Sequence, residues 1–198
     1  MLYINQKKYP DIPYRTRTDL TGADYEKGLQ TTVSSSGCGI CSAVMVADRL
    51  LVNHDFDLEA ALQLSYQSKS NHKSGTHYER YAPALAEKLG LNYEMTDDID
   101  RLLYCLGTGG VGVALVAGDK DGYIGVFSHK IHYVVVIGVE RDGRLAILDP
   151  AYLENKFDEE GRQGKVEMKN GVIALCDKKV LLDDLIEDEP SFYLFWRK

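Results

Sequence analysis

The sequence predicts an α+β fold, and three observations carry that prediction. Cys38 to about Val52 is apolar on almost every helical face (Ile40, Ala43, Val44, Met45, Val46, Ala47, Leu50, Leu51), as a helix buried in the middle of a protein should be. Residues 131–139, Ile-His-Tyr-Val-Val-Val-Ile-Gly-Val, are apolar without alternation, which marks a central strand. Helical patterns dominate to about residue 107 and strand patterns from about 108. The chain therefore reads as one domain, 1–198, with an N-terminal helical half and a C-terminal antiparallel half.

Each element has a local reason. Residues 1–37 read as mostly irregular, with a short extended piece at Ile12-Pro13-Tyr14 and turns at Thr21-Gly22 and Lys27-Gly28. Asp57 is the expected N-cap of a helix over 57–68, and Gly90 the expected stop of a helix over 79–89. The polar stretch Lys69 to Thr76 between them reads as a loop. A strand at 91–95 leads to an Asp97-Asp98 cap and a helix to about Leu106, which Gly107-Thr108-Gly109-Gly110 ends. Strands follow at Val111–Ala117, 131–139 and Arg144–Asp149, then near 165–168. A helix near 179–187 and a last strand at Ser191–Trp196 complete the chain.

Composition narrows the function. A net charge of −7 and a pI near 5.2 argue against general nucleic-acid binding. No apolar run approaches the ~20 residues of a membrane span. Met1 to Lys8 lacks the apolar core of a signal peptide, which points to the cytoplasm, or to the cell exterior or wall had a signal been removed. Among four cysteines, Cys105 and Cys176 sit in apolar runs as inert core residues, leaving Cys38 and Cys41.

Cys38 follows Ser34-Ser35-Ser36-Gly37 and opens the apolar helix. A helix N-terminus favours negative charge, so it lowers the pKa of a thiol placed there. A cysteine hydrolase also needs an imidazole to take the thiol proton and a group to orient the imidazole. His132 enters the central strand, where rigid backbone fixes its ring. His129 belongs to the loop before it, and His54, His72 and His77 lie in polar surroundings. Asp149 ends the next strand among apolar residues, where a lone carboxylate is costly. Register tests this pairing. A two-residue turn at Asp142-Gly143 opposes Asp149 to Val136, about 13 Å along the strand from His132. A longer or bulged turn is therefore expected, with direct opposition needing a hairpin centre near Glu140-Arg141.

The segment Thr32 to Gly39 with Ser42 to Val46, the run Phe127 to Gly138, and Asp142-Gly143-Arg144 to Pro150 together resemble the three motifs of papain-like peptidases related to the bacterial bacteriocin-processing, double-glycine family. Ser191 to Phe195 resembles that family's last strand. The resemblance implies a papain-like fold and a peptide or protein substrate, with no cofactor or metal. It makes Cys38 the nucleophile, His132 the general base and acid, and Asp149 its orienting partner. Gly75-Thr76 and the loop Gly118–Phe127 are then the expected cleft rims. Ile40-Cys41 stand where the family has Pro-Thr. Arg17 stands where it has a glutamine that helps stabilise the oxyanion, which leaves Gln30 as the candidate donor. Three alternatives use the same residues: a thiol-disulfide oxidoreductase built on Cys38-x-x-Cys41, a zinc site of Cys38, Cys41, His129 and His132, and an inactive papain-like module that binds peptides.

Overall fold

The computed structural model describes residues 2–16, 30–72, 75–187 and 190–198. The turns expected at Thr21-Gly22 and Lys27-Gly28, and Arg17, lie outside them.

The approach to Cys38 is more ordered than its composition suggests. A 3-10 turn at Gln6–Lys8 is followed by β1 (Pro13–Arg15), which pairs antiparallel with β2 (Gln30–Thr32). The serines then form one helical turn, α1 (Val33–Ser36), in which Ser35 Oγ accepts from Thr32 N at 3.0 Å. Gly37 separates this turn from α2 (Cys38–Leu50), whose side chains are buried on nearly every face.

Two helices pack beside α2. Asp57 caps α3 (Leu58–Gln67) by accepting from Ala60 N at 2.9 Å. The polar stretch after it is not a plain loop. It forms a small hairpin of β3 (Asn71–His72) and β4 (Gly75–Thr76), with Ser70, Asn71 and Thr76 buried. α4 (Tyr78–Leu89) ends at Gly90 in the left-handed region, as a helix C-terminus favours.

The remaining elements are β5 (Leu91–Thr96), α5 (Ile99–Gly107), β6 (Val111–Val116), β7 (His132–Val139), β8 (Leu145–Leu148), β9 (Val166–Lys169), β10 (Ile173–Cys176), α6 (Lys178–Asp184) and β11 (Phe192–Arg197). Seven of the strands make one antiparallel sheet in the order β5-β11-β6-β7-β8-β10-β9. The central strands of the sheet are buried on both faces. Val113, Leu115, Tyr133, Val135 and Leu148 pack with α2, α3 and α4. Ala114, Val134, Val136 and Ile147 pack with Leu102 and Cys105 of α5 and Leu181 of α6.

The order of elements along the chain and their arrangement in space part here. β5 comes from the first half yet forms one edge of the sheet, and α5 lies on the face away from α2. Strand β10 goes beyond the sequence expectation, although its signal is present. Asn170 and Gly171 before it both take positive φ (54° and 72°), the conformation that Asn-Gly hairpin turns require.

The β7–β8 hairpin is longer than a tight turn and bulged, as the register argument requires. Glu140 N donates to Arg144 O at 2.8 Å, so residues 141–143 form the loop. The register shifts again between Val136 and Gly138. Val135 then opposes Leu148, which continues to Val134 opposite Asp149, two residues from His132. Direct opposition of His132 and Asp149 does not occur; the side chains close the offset diagonally, as long neighbours across a sheet can.

The start of α2 depends on a close approach. A Cβ on Gly39 would lie 2.5 Å from Thr76 Cβ and 2.7 Å from its Oγ1. Tyr78 Oη also donates to Gly39 O at 3.0 Å, tying this turn to α4. In an open helix Gly39→Ala would stabilise by about 1 kcal/mol. Here the collision should reverse the sign, with a net loss of roughly 1–3 kcal/mol in urea denaturation. Thr76 also bonds buried Tyr14, so the double variant with Thr76→Gly should lose clearly less than the two single variants added together, and simple additivity would show that this contact is not the cause.

Candidate active site

Cys38 is the first residue of α2 and is 8% exposed. Its sulfur faces the His132 ring and the backbone N–H groups of Tyr133 and Gly39, all of which favour the thiolate. His132 begins β7, and its Nε2 lies 2.8 Å from Asp149 Oδ1, which leaves Nδ1 for the sulfur. The structure therefore brings Cys38, His132 and Asp149 into one buried chain, carried by a helix N-terminus and two adjacent strands.

Each group is shifted by the others against the effect of burial. Burial pushes the Cys38 thiol up, but the hydrogen bond and charge of His132, with the two backbone N–H groups, bring it below its ordinary value. Burial pushes the His132 imidazole down, yet Asp149 and then Cys38 raise it to about 9. Burial also opposes ionisation of Asp149. Lys156 and His132 nevertheless hold its carboxyl well below the usual range. These directions agree, and they favour the thiolate–imidazolium form of the pair over the neutral one.

Asp149 has more partners than the sequence reading gave it. Its Oδ1 also accepts from Ala151 N at 2.8 Å, an Asx turn beyond the strand end. Its Oδ2 receives Lys156 Nζ at 2.5 Å, with the lysine side chain 9% exposed. Tyr3 donates to the Asp149 carbonyl at 2.7 Å. Gln6, buried, bridges the two sides: its N donates to Pro150 O at 2.7 Å and its Nε2 to Ser34 O at 2.9 Å. None of Tyr3, Gln6 and Lys156 stands out in the sequence, since each sits in a polar or charged stretch that reads as surface.

The other expected residues are placed as follows. His129 is half exposed and lies against Asp119 and Glu159 at 3.0 and 3.1 Å, apart from the sulfur. Cys41, one turn along α2, is fully buried, and burial with the charge of Cys38 pushes its thiol far up. Cys105 and Cys176 are buried and free. Gln30 pairs with Arg15 through its backbone, and its side chain lies outside the described residues. Gly75-Thr76 is buried against the first turn of α2. The loop before β7 is pinned from α6: Asp184, fully buried, accepts from Val126 N, Phe127 N and Tyr123 Oη at 2.7–3.0 Å. A cavity of about 490 Å³ adjoins the Asp149 side, with Lys7, Ser128, Asn155 and Lys156 in its wall. Among the described residues, no group of three or more His, Cys, Asp or Glu side chains could hold a metal ion, and no helix is long and apolar enough to cross a membrane.

No protein-family model matches the chain, and no curated protein matches it by sequence. Its fold is similar to that in the crystal structure of a protein from Bacillus anthracis assigned as a C39-like peptidase, with a TM-score of 0.58 over 100% of this chain and 94% of that one. Only 11% of the aligned residues are identical, so the likeness is one of fold.

Proposed function

We propose that the chain is a cysteine peptidase or related amide hydrolase with a papain-like arrangement, acting on a peptide or protein substrate. One observation carries the reading: the buried His132 imidazole is hydrogen-bonded to Asp149 on one side and faces, on the other, the Cys38 sulfur at a helix N-terminus. The likeness in fold to a protein assigned as a C39-like peptidase supports it.

In this reading the Cys38 thiolate attacks the carbonyl carbon of the scissile amide. The N–H groups in the first turn of α2 donate to the resulting oxyanion, and Gln30 is proposed as a side-chain donor. His132, protonated and held by Asp149, gives its proton to the departing amine as the C–N bond breaks. Water, deprotonated by the same imidazole, then hydrolyses the acyl-enzyme thioester and restores Cys38. Asp149 keeps the imidazole in the tautomer and orientation that both transfers need.

Intact-mass labelling with a thiol-reactive peptide electrophile tests the assignment. One adduct is expected; Cys38→Ala should abolish it and Cys41→Ala should leave it. His132→Ala should slow it by roughly 100-fold or more at neutral pH. Equal dependence on Cys41, or a reversible Cys38–Cys41 disulfide that controls reactivity, would instead establish the redox chemistry of a C-x-x-C protein.

The pH profile supplies a second prediction. Because His132 holds its proton to about pH 9, Cys38 should alkylate readily well below the ordinary thiol range. Peptide turnover should decline as pH rises through about 9, since the leaving amine then lacks its acid, while alkylation stays fast. A His132→Ala variant should show instead the steep fall of an isolated thiol as pH drops.

A further inference from the structure

We infer that Lys156 is a positioning residue of the site, the counter-charge that lets Asp149 and Cys38 be anionic together in a buried place. The inference rests on the hydrolase reading above and deepens it.

Asp149 offers two oxygens, and the structure uses both. Oδ1 serves His132 and Ala151 N; Oδ2 serves Lys156 Nζ. The lysine is built into this position rather than resting against it. Asn155, with φ 63° and ψ 9°, turns the chain into a 3-10 turn at Lys156–Asp158. The next residue, Phe157, is buried between Tyr152, stacked at 5.8 Å, and Phe127, edge-on at 5.9 Å. Buried Arg162 donates to Lys156 O at 3.5 Å. With backbone and neighbours fixed, the lysine starts where the aspartate needs it, and only its own side chain remains to be ordered.

Charge balance says what this does. With a thiolate and an imidazolium in place, His132 and Lys156 are positive and Cys38 and Asp149 negative, so the buried array sums to zero. Without the ammonium it sums to −1, and the charge given up most readily is the thiolate, by protonation. Lys156 thus acts on the sulfur through Asp149 and His132. It also keeps Asp149 from turning, because the second oxygen is held. Among the described residues, the other ionisable groups facing the array are Cys41, the Tyr3, Tyr14, Tyr78 and Tyr152 phenols and, around the adjoining cavity, Lys7, Glu154, Glu159 and Arg162. His129 lies on the same cavity. A His129→Gln background removes it from the measurement.

The test is the pH dependence of Cys38 alkylation by iodoacetamide, read by intact mass, with His132 followed by nuclear magnetic resonance. In Lys156→Met the pH at which Cys38 becomes reactive, and that at which His132 loses its proton, should both rise by about one unit. Lys156→Arg should keep the wild-type values. A purely structural lysine would change stability and leave both values in place, and that result overturns the inference while the hydrolase reading stands. If wild-type Cys38 alkylates as an isolated thiol and ignores His132→Ala, the hydrolase reading falls and the inference with it. Should Lys156→Met not fold, the wild-type protein still decides. The Lys156 ammonium protons should exchange with water far more slowly than those of exposed lysines, and equal exchange overturns the inference.

Discussion

Taking a carboxylate out of water costs several kcal/mol even after the surroundings relax. A domain holds only about 5–15 kcal/mol of net stability. Asp149 is 1% exposed, so its ionised form survives only if its oxygens are satisfied. Much of the surrounding structure follows from that requirement. The chain leaving β8 folds back at Ala151 to donate its N–H and turns again at Asn155 to bring Lys156. The N-terminal segment lies over the strand end, with Tyr3 on the Asp149 carbonyl and Gln6 on that of Pro150. Segments that look unrelated in the sequence are thereby tied to one strand end, the turn and Lys156 through the carboxylate and the N-terminal segment through the backbone carbonyls.

The sheet contributes register. A two-residue turn between β7 and β8 would put Asp149 out of reach of the imidazole. The longer loop and the bulge between Val136 and Gly138 together move it along the strand until a diagonal contact of 2.8 Å is possible. Bulges commonly re-aim side chains beside functional sites. The helix contributes the other end. The first turn of α2 reaches its place because Gly39 lets Thr76 approach, while Tyr78 anchors the carbonyl of the same glycine. The sulfur is thus fixed from the helix side and the imidazole from the sheet side, and Gln6 and the Tyr78–Tyr133 ring contact join the two.

Much of this was legible in the sequence, and the reasons are local. α3 and α4 announce themselves through Asp57 and Gly90, and the central strand through its unbroken apolar run. Cys38, His132 and Asp149 could be singled out because each pairs a chemically capable side chain with a rigid or apolar setting. What escaped has the opposite character. Lys156 follows Glu154 and Asn155 and looks solvated, and its burial is decided by Phe157 packing on residues distant in sequence. The β3–β4 hairpin reads as a polar loop because its residues are buried by contact with α2 and not by their own hydrophobicity. The sheet position of β5 depends on pairing with the last strand of the chain, which no local pattern encodes. β10 is a different case, since the Asn170-Gly171 turn was there to be read.

Cys38 and Cys41 show how far a motif can carry such a reading. They share one helix, stand one turn apart and are both buried, so burial raises both thiols. Helix-terminus stabilisation of charge fades within the first turn, and the larger difference lies in what each sulfur meets. Cys38 faces an imidazole that a carboxylate holds protonated, together with two backbone N–H groups. The charge beside Cys41 is that of Cys38 itself, which opposes a second thiolate. Spacing alone would treat the pair as redox partners of similar character. The environment separates them into one sulfur whose anion is favoured and one held as a neutral thiol in the helix core, an asymmetry that fits the proposed single nucleophile better than a redox pair.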